Sequence, residues 1–96
     1  MFSVIIKPRA LEMIQQGFDW YEEQKPGLGD EFLQELESFF SRIKSNPQYF
    51  GKIRKNFRQA ALKRFPYVIV FETFKTEIVV FAVFHTSRNP KFKFKD

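Results

Sequence analysis

The sequence predicts an α+β domain: an N-terminal strand, an antiparallel helical hairpin, then a three-stranded antiparallel meander, with both helices packed on one face of a single sheet. Three observations carry this. Two stretches in the first half repeat large apolar residues every three or four positions, the spacing of one helix face. The second half holds two continuous apolar runs, "FPYVIVF" (65–71) and "IVVFAVF" (78–84), too short for helices and rich in β-branched and aromatic residues. The links between all of these are short, so that neighbours in sequence become antiparallel neighbours in space.

The elements follow in order. "MFSVIIK" (1–7) reads as the first strand, ended by Pro8, which suits the first turn of a helix because its missing N–H is not needed there. Leu11, Ile14, Phe18 and Tyr21 then form an amphipathic stripe, with Met13 and Trp20 beside it. "KPGLGD" (25–30) breaks the chain, and Asp30 is the expected N-cap of the second helix. That helix is marked by Phe32, Leu36, Phe39 and Ile43, with Glu31, Glu35 and Glu37 toward its start and Arg42 and Lys44 near its end, an order that complements the helix dipole. "SNP" (45–47) stops it, and "QYFGKIRKN" (48–56) reads as a basic loop. Strands are then expected over 57–65, 67–71 and 77–84, with Pro66 forcing a tight turn and "TFKT" (73–76) linking the last pair.

Composition bounds the function. A chain of 96 residues makes one domain, 1–96, and at 44% hydrophobic with 14 phenylalanines it has the side chains to close a core. The absence of cysteine excludes disulfides and thiolate zinc sites, and fits a reducing, cytoplasmic setting. One histidine excludes a multi-histidine metal site, and no phosphate loop, nucleophile elbow or zinc helix motif is present, so neither a cofactor nor a metal is expected. The longest apolar runs have seven residues, far below the roughly 20 a membrane helix needs, so no membrane role is expected.

Charge is unevenly placed. Residues 1–49 hold five Lys/Arg against eight Asp/Glu, and residues 50–96 hold eleven against three, so the second half is net +8. Such a surface points to an anionic partner, nucleic acid or an acidic polypeptide.

The chemistry-bearing residues are a scatter of cations on the C-terminal strands, Arg58, Lys63, Arg64, His85 and Arg88, followed by the alternating tail Lys91-Phe92-Lys93-Phe94-Lys95. RNA cleavage needs a base for the 2′-hydroxyl, an acid for the leaving oxygen and cations for the charged transition state. His85 with Arg58, Arg64 and Arg88 is the candidate set. The plainer reading, which is preferred, makes His85 a partly buried residue that bonds backbone where the last strand ends. Lys63, Lys91 and Lys93 are candidates for contact with a target or with phosphates. The preferred reading of the tail is that Phe92 and Phe94 dock on the domain as an edge strand while its lysines stay in solvent.

Taken together, the strand, the helical hairpin and the basic loop, followed by "FRQAALKRFPYVIVFE…EIVVFAVFHTSRNP", resemble the RelE/ParE superfamily of bacterial type II toxins over essentially the whole chain. The motifs that carry the likeness are "W-Y-x-x-Q" (20–24), "NP" (46–47), "R-F-P-Y-V-I-V-F" (64–71) and "V-x-H-x-x-R" (83–88). The resemblance implies a plasmid-stabilisation toxin that inhibits growth, is neutralised by a cognate antitoxin from a neighbouring gene and can join a higher-order toxin–antitoxin complex. RelE-like members are metal-independent ribonucleases that cut messenger RNA on the ribosome, and ParE-like members poison DNA gyrase. Ala60 and Val68 stand where ribonuclease members often carry basic residues, and Phe92 or Phe94 where some carry a tyrosine. The resemblance therefore implies the ParE-like branch, with the ribonuclease as the alternative.

Overall fold

The computed structural model describes residues 2–87. Strand β1 (Ser3–Ile6) leads into helix α1 (Pro8–Gln24) and helix α2 (Leu28–Ser45), and a 3-10 turn (Pro47–Tyr49) follows. Strands β2 (Lys52–Arg54), β3 (Phe57–Ala61), β4 (Tyr67–Phe74) and β5 (Glu77–His85) complete one five-stranded sheet in the order β1-β5-β4-β3-β2. The α+β class, the helical hairpin and the single sheet are as the sequence predicts. Two features differ. The stretch expected to be only a basic loop supplies a fourth strand to the meander, because Lys52-Ile53-Arg54 can pair with Arg58 and Phe57 across a tight turn. The N-terminal strand joins parallel to β5, which makes the sheet mixed.

Short connections explain most of the topology. The helical hairpin carries the chain from β1 at one edge of the sheet to β2 at the other, and the meander then runs back until β5 lies along β1, with Ile6 opposite Val80. The hairpin packs its inner face on Ile69, Phe71, Ile78, Val80 and Val83 to form the main core. Four rings lock its turn end: Tyr21, Phe32, Phe65 and Tyr67, with centroids 4.7 to 6.1 Å apart. Aromatic edges and faces at such distances attract beyond the area they bury.

The apolar run of β5 does not alternate simply. Val70 faces Ala82 while Phe71 faces Val80, so Phe81 is an extra residue, a bulge. The bulge lets Val80 and Val83 both enter the helix-side core, while Ala82 joins Val68 and Val70 in a second, smaller cluster against which Phe57, Phe84 and Met13 of α1 pack.

The α1–α2 interface is built from small residues. Ala10 and Gly17 are buried with Tyr21, whereas Leu11, expected in the stripe, is 53% exposed. A Cβ on Gly17 would lie 2.8 Å from Phe32 and 3.0 Å from the Tyr67 hydroxyl, so glycine is what lets the helices approach. The expected cap at Asp30 is displaced. Helix α2 begins at Leu28 with Gly27 as N-cap at φ 92°, and Asp30 falls within the first turn. Glu22 of α1 does the capping instead, its Oε1 accepting from the Gly27 and Gly29 amides at 2.9 and 2.8 Å.

Candidate functional site

The residues singled out from sequence sit at two ends of the sheet. Lys63 and Arg64 occupy the β3–β4 connection, which is longer than the tight turn expected at Pro66. Strand β3 stops at Ala61, and Leu62 N–H donates to the Tyr67 carbonyl at 2.9 Å to close a wide turn. Its backbone is held from α2, where the Glu35 carboxylate accepts the Lys63 and Arg64 amides at 3.1 Å each. The Arg64 guanidinium pairs with Glu31 one helical turn earlier and lies over the Phe65 ring at 5.2 Å. The two glutamates thus clamp this basic turn onto the helical hairpin.

His85 ends β5 beside that turn, since Thr86 N–H donates to the Pro66 carbonyl at 2.9 Å. Its ring is buried, only 6% exposed, and stands edge-on to Tyr67 at 5.3 Å. The Ser87 backbone N–H donates to Nδ1 at 3.0 Å, which requires that nitrogen to be an acceptor and assigns the Nε2–H tautomer. The Ser87 hydroxyl stands 3.3 Å from the same nitrogen.

Arg58 lies elsewhere. It pairs with Lys52 on one side and Phe71 on the other, on the helix-facing side of the sheet. Its Nη1 donates to the Phe50 carbonyl at 2.6 Å, tying down the segment that enters β2. Phe50 is itself buried, edge-on to Phe71 at 6.0 Å. The fold therefore brings Lys63, Arg64 and His85 to one end and sends Arg58 to the other. Arg88, Lys91 and Lys93, and the tail residues Phe92 and Phe94 expected to dock as an edge strand, lie outside the described residues.

Sequence reasoning missed the acidic partners Glu31 and Glu35, which it read only as dipole complements, and it missed the surface around β2. There, Ser41, Arg42, Ser45, Asn46, Tyr49 and Phe50 line an open pocket of about 350 Å³. Tyr49 in its wall is 71% exposed, and Ile53 of β2 is 41% exposed. The K-I-R alternation was the available signal, but three residues are too few for a pattern to stand out. Among the described residues no cluster of three or more His, Cys, Asp or Glu is placed to hold a metal ion. No helix among them is long and apolar enough to cross a membrane.

Comparison with known proteins fits this architecture. The family model for the ParE toxin of the type II toxin–antitoxin system, parDE, matches residues 4–90. A solved structure described as a chromosomal ParDE TA system from P. aeruginosa superposes with a TM-score of 0.76 at 18% identity, covering 88% of this chain and 96% of that one. At that identity the superposition speaks for the fold. No curated protein sequence matches. With the family model spanning nearly the whole domain and the same fold in a ParDE structure, the chain belongs to the ParE toxin family of type II toxin–antitoxin systems.

Proposed function

We propose that this ParE-family protein inhibits growth by binding an essential target, DNA gyrase, without cutting RNA, and that an antitoxin encoded by a neighbouring gene neutralises it in the cytoplasm, stabilising the plasmid or locus that carries the pair. The observation that carries the binding reading is how the candidate cleavage residues are engaged. Arg58 is spent on the Phe50 carbonyl, Arg64 on Glu31, and the His85 Nδ1 on the Ser87 amide. A general base must reach the proton it removes, and cations must converge on the developing charge. Groups tied into the domain at opposite ends of a sheet suit a rigid binding surface better. The net +8 of residues 50–96 supports an anionic partner.

Controlled expression with and without the neighbouring gene tests this reading. Growth arrest that the neighbour relieves is expected, together with an SOS response and intact messenger RNA. Messenger fragments cut at regular codon positions would replace the gyrase reading with the ribonuclease one. Unimpaired growth in the absence of the neighbour would remove both.

A further inference from the structure

The sheet ends in two edge strands, and they are built differently. β2 carries Lys52 and Arg54 and is followed by Lys55, the kind of charge that discourages another strand from pairing there. β1 lacks that protection: no charged side chain occurs from Phe2 to Ile6. Its inner side is committed to β5, the Ser3 and Lys7 amides donating to the Thr76 and Val80 carbonyls at 2.9 and 3.0 Å. In a parallel ladder, residues that bond one neighbour alternate with residues that turn the other way. Ile5 therefore joins Ser3 and Lys7, while Val4 and Ile6 aim their N–H and C=O groups out of the sheet. Side chains alternate as well. Val4 and Ile6 pack against the main core on the helix side, whereas Ile5 lies opposite Val79 on the other face and is 41% exposed.

We propose that the β1 edge is the docking surface for a second copy of this chain, joined antiparallel across a two-fold axis at Ile5. The spacing of its outward groups is self-complementary. Centring the contact on Ile5 sets Val4 against the partner's Ile6 and Ile6 against the partner's Val4, and each such pair exchanges both of its main-chain hydrogen bonds. The Ile5 side chains then meet at the axis, at the closer spacing of a non-hydrogen-bonded pair, and bury the surface each exposes alone. Lys7 falls opposite the partner's Ser3, so no cation faces a cation, which matters for a chain of net +5. An edge without charge has nothing to steer a highly charged partner, whereas its symmetric pattern matches a second copy. The two sheets become one continuous sheet, with a β2 strand at each far end. A pairing of four-residue strands is small beside the roughly 1,000 Å² of a stable interface, so a dissociation constant of about 10–100 μM is expected. The contact goes beyond the target and antitoxin readings above and depends on neither.

Sedimentation of the purified protein from about 2 to about 500 μM tests this, and a monomer–dimer equilibrium is expected. Amide exchange at the two ends of that range adds a residue-level readout. Val4 and Ile6 are expected to slow by about threefold or more as concentration rises, while Ser3, Ile5 and Lys7, bonded to β5 in the single chain, are expected not to change. Val4→Pro removes a donor that β1 does not use within its own sheet, and is expected to weaken association by about tenfold or more. Ile5→Lys and Ile5→Glu, at an exposed position, are each expected to sediment as monomers, and mixing the two restores the pair. The chain has no cysteine, so Ile5→Cys treated with oxidised glutathione is expected to give a disulfide-linked dimer, since the non-hydrogen-bonded spacing lies within disulfide reach. Ile53→Cys on β2, at the same 41% exposure, is expected not to. The proposal is overturned by a monomer at every concentration, by association that Val4→Pro and the Ile5 substitutions leave unchanged, or by faster cross-linking through Ile53→Cys than through Ile5→Cys. If Val4→Pro unfolds, the Ile5 substitutions and the exchange pattern decide alone.

Discussion

Single residues in this domain matter according to what their polar atoms would face if released. Glu35 accepts two backbone amides of the β3–β4 turn, while Glu31 holds only the exposed Arg64 side chain, which is 60% accessible. Glu35→Ala is therefore expected to cost about 1–2 kcal/mol, since it strips acceptors from the turn's main chain. Glu31→Ala should stay below about 1 kcal/mol, the usual range for a surface ion pair. Urea denaturation of the two variants measures the difference. Thr73 gives the opposite sign: its buried hydroxyl finds no hydrogen-bond partner among the described residues. Thr73→Val keeps the shape, removes that unpaired group and is expected to raise stability by about 1 kcal/mol in the same assay. At this scale the sequence is only partly legible. His85 can be placed at a strand end from the apolar run before it. That its Nδ1 accepts from Ser87, and that Arg58 reaches back to Phe50, depend on turns whose geometry no periodicity encodes.

Elements were readable where large side chains repeat and obscure where small ones do. The second helix, with Phe32, Leu36, Phe39 and Ile43, stands out in sequence and all four residues are buried. The first helix buries Ala10 and Gly17 instead of Leu11, because the contact needs close approach more than bulk. Replacing Gly17 with alanine gains about 0.5–1 kcal/mol of helix propensity. It also drives a methyl to within 2.9 Å of two Phe32 ring atoms, and overpacking of this kind costs about 1–3 kcal/mol. The clash wins, so Gly17→Ala is expected to lower the melting temperature. The start of α2 was misplaced for a related reason: its cap comes from Glu22 in the other helix, a tertiary contact. Glu22→Ala should cost about 1 kcal/mol, as loss of a helix cap does, visible in thermal unfolding. Strand β2 escaped notice because its three residues, all exposed, leave no buried face to mark them.

The whole molecule separates its charges, acidic helices on one side of the chain and basic strands on the other. That separation is legible in sequence, and Glu31 and Glu35 bridge it by drawing the basic β3–β4 turn onto the helices. It leaves a rigid cationic domain whose ParE family membership places it in a toxin–antitoxin pair. The central claim is that such a surface acts by holding a protein target. The most direct measurement adds the purified protein to DNA gyrase with supercoiled plasmid and follows cleaved DNA after denaturation. The account predicts that linear plasmid accumulates with protein concentration and that the product of the neighbouring gene suppresses it. Gyrase activity unchanged at every concentration, with messenger RNA cut in translating ribosomes by the same preparation, would contradict it.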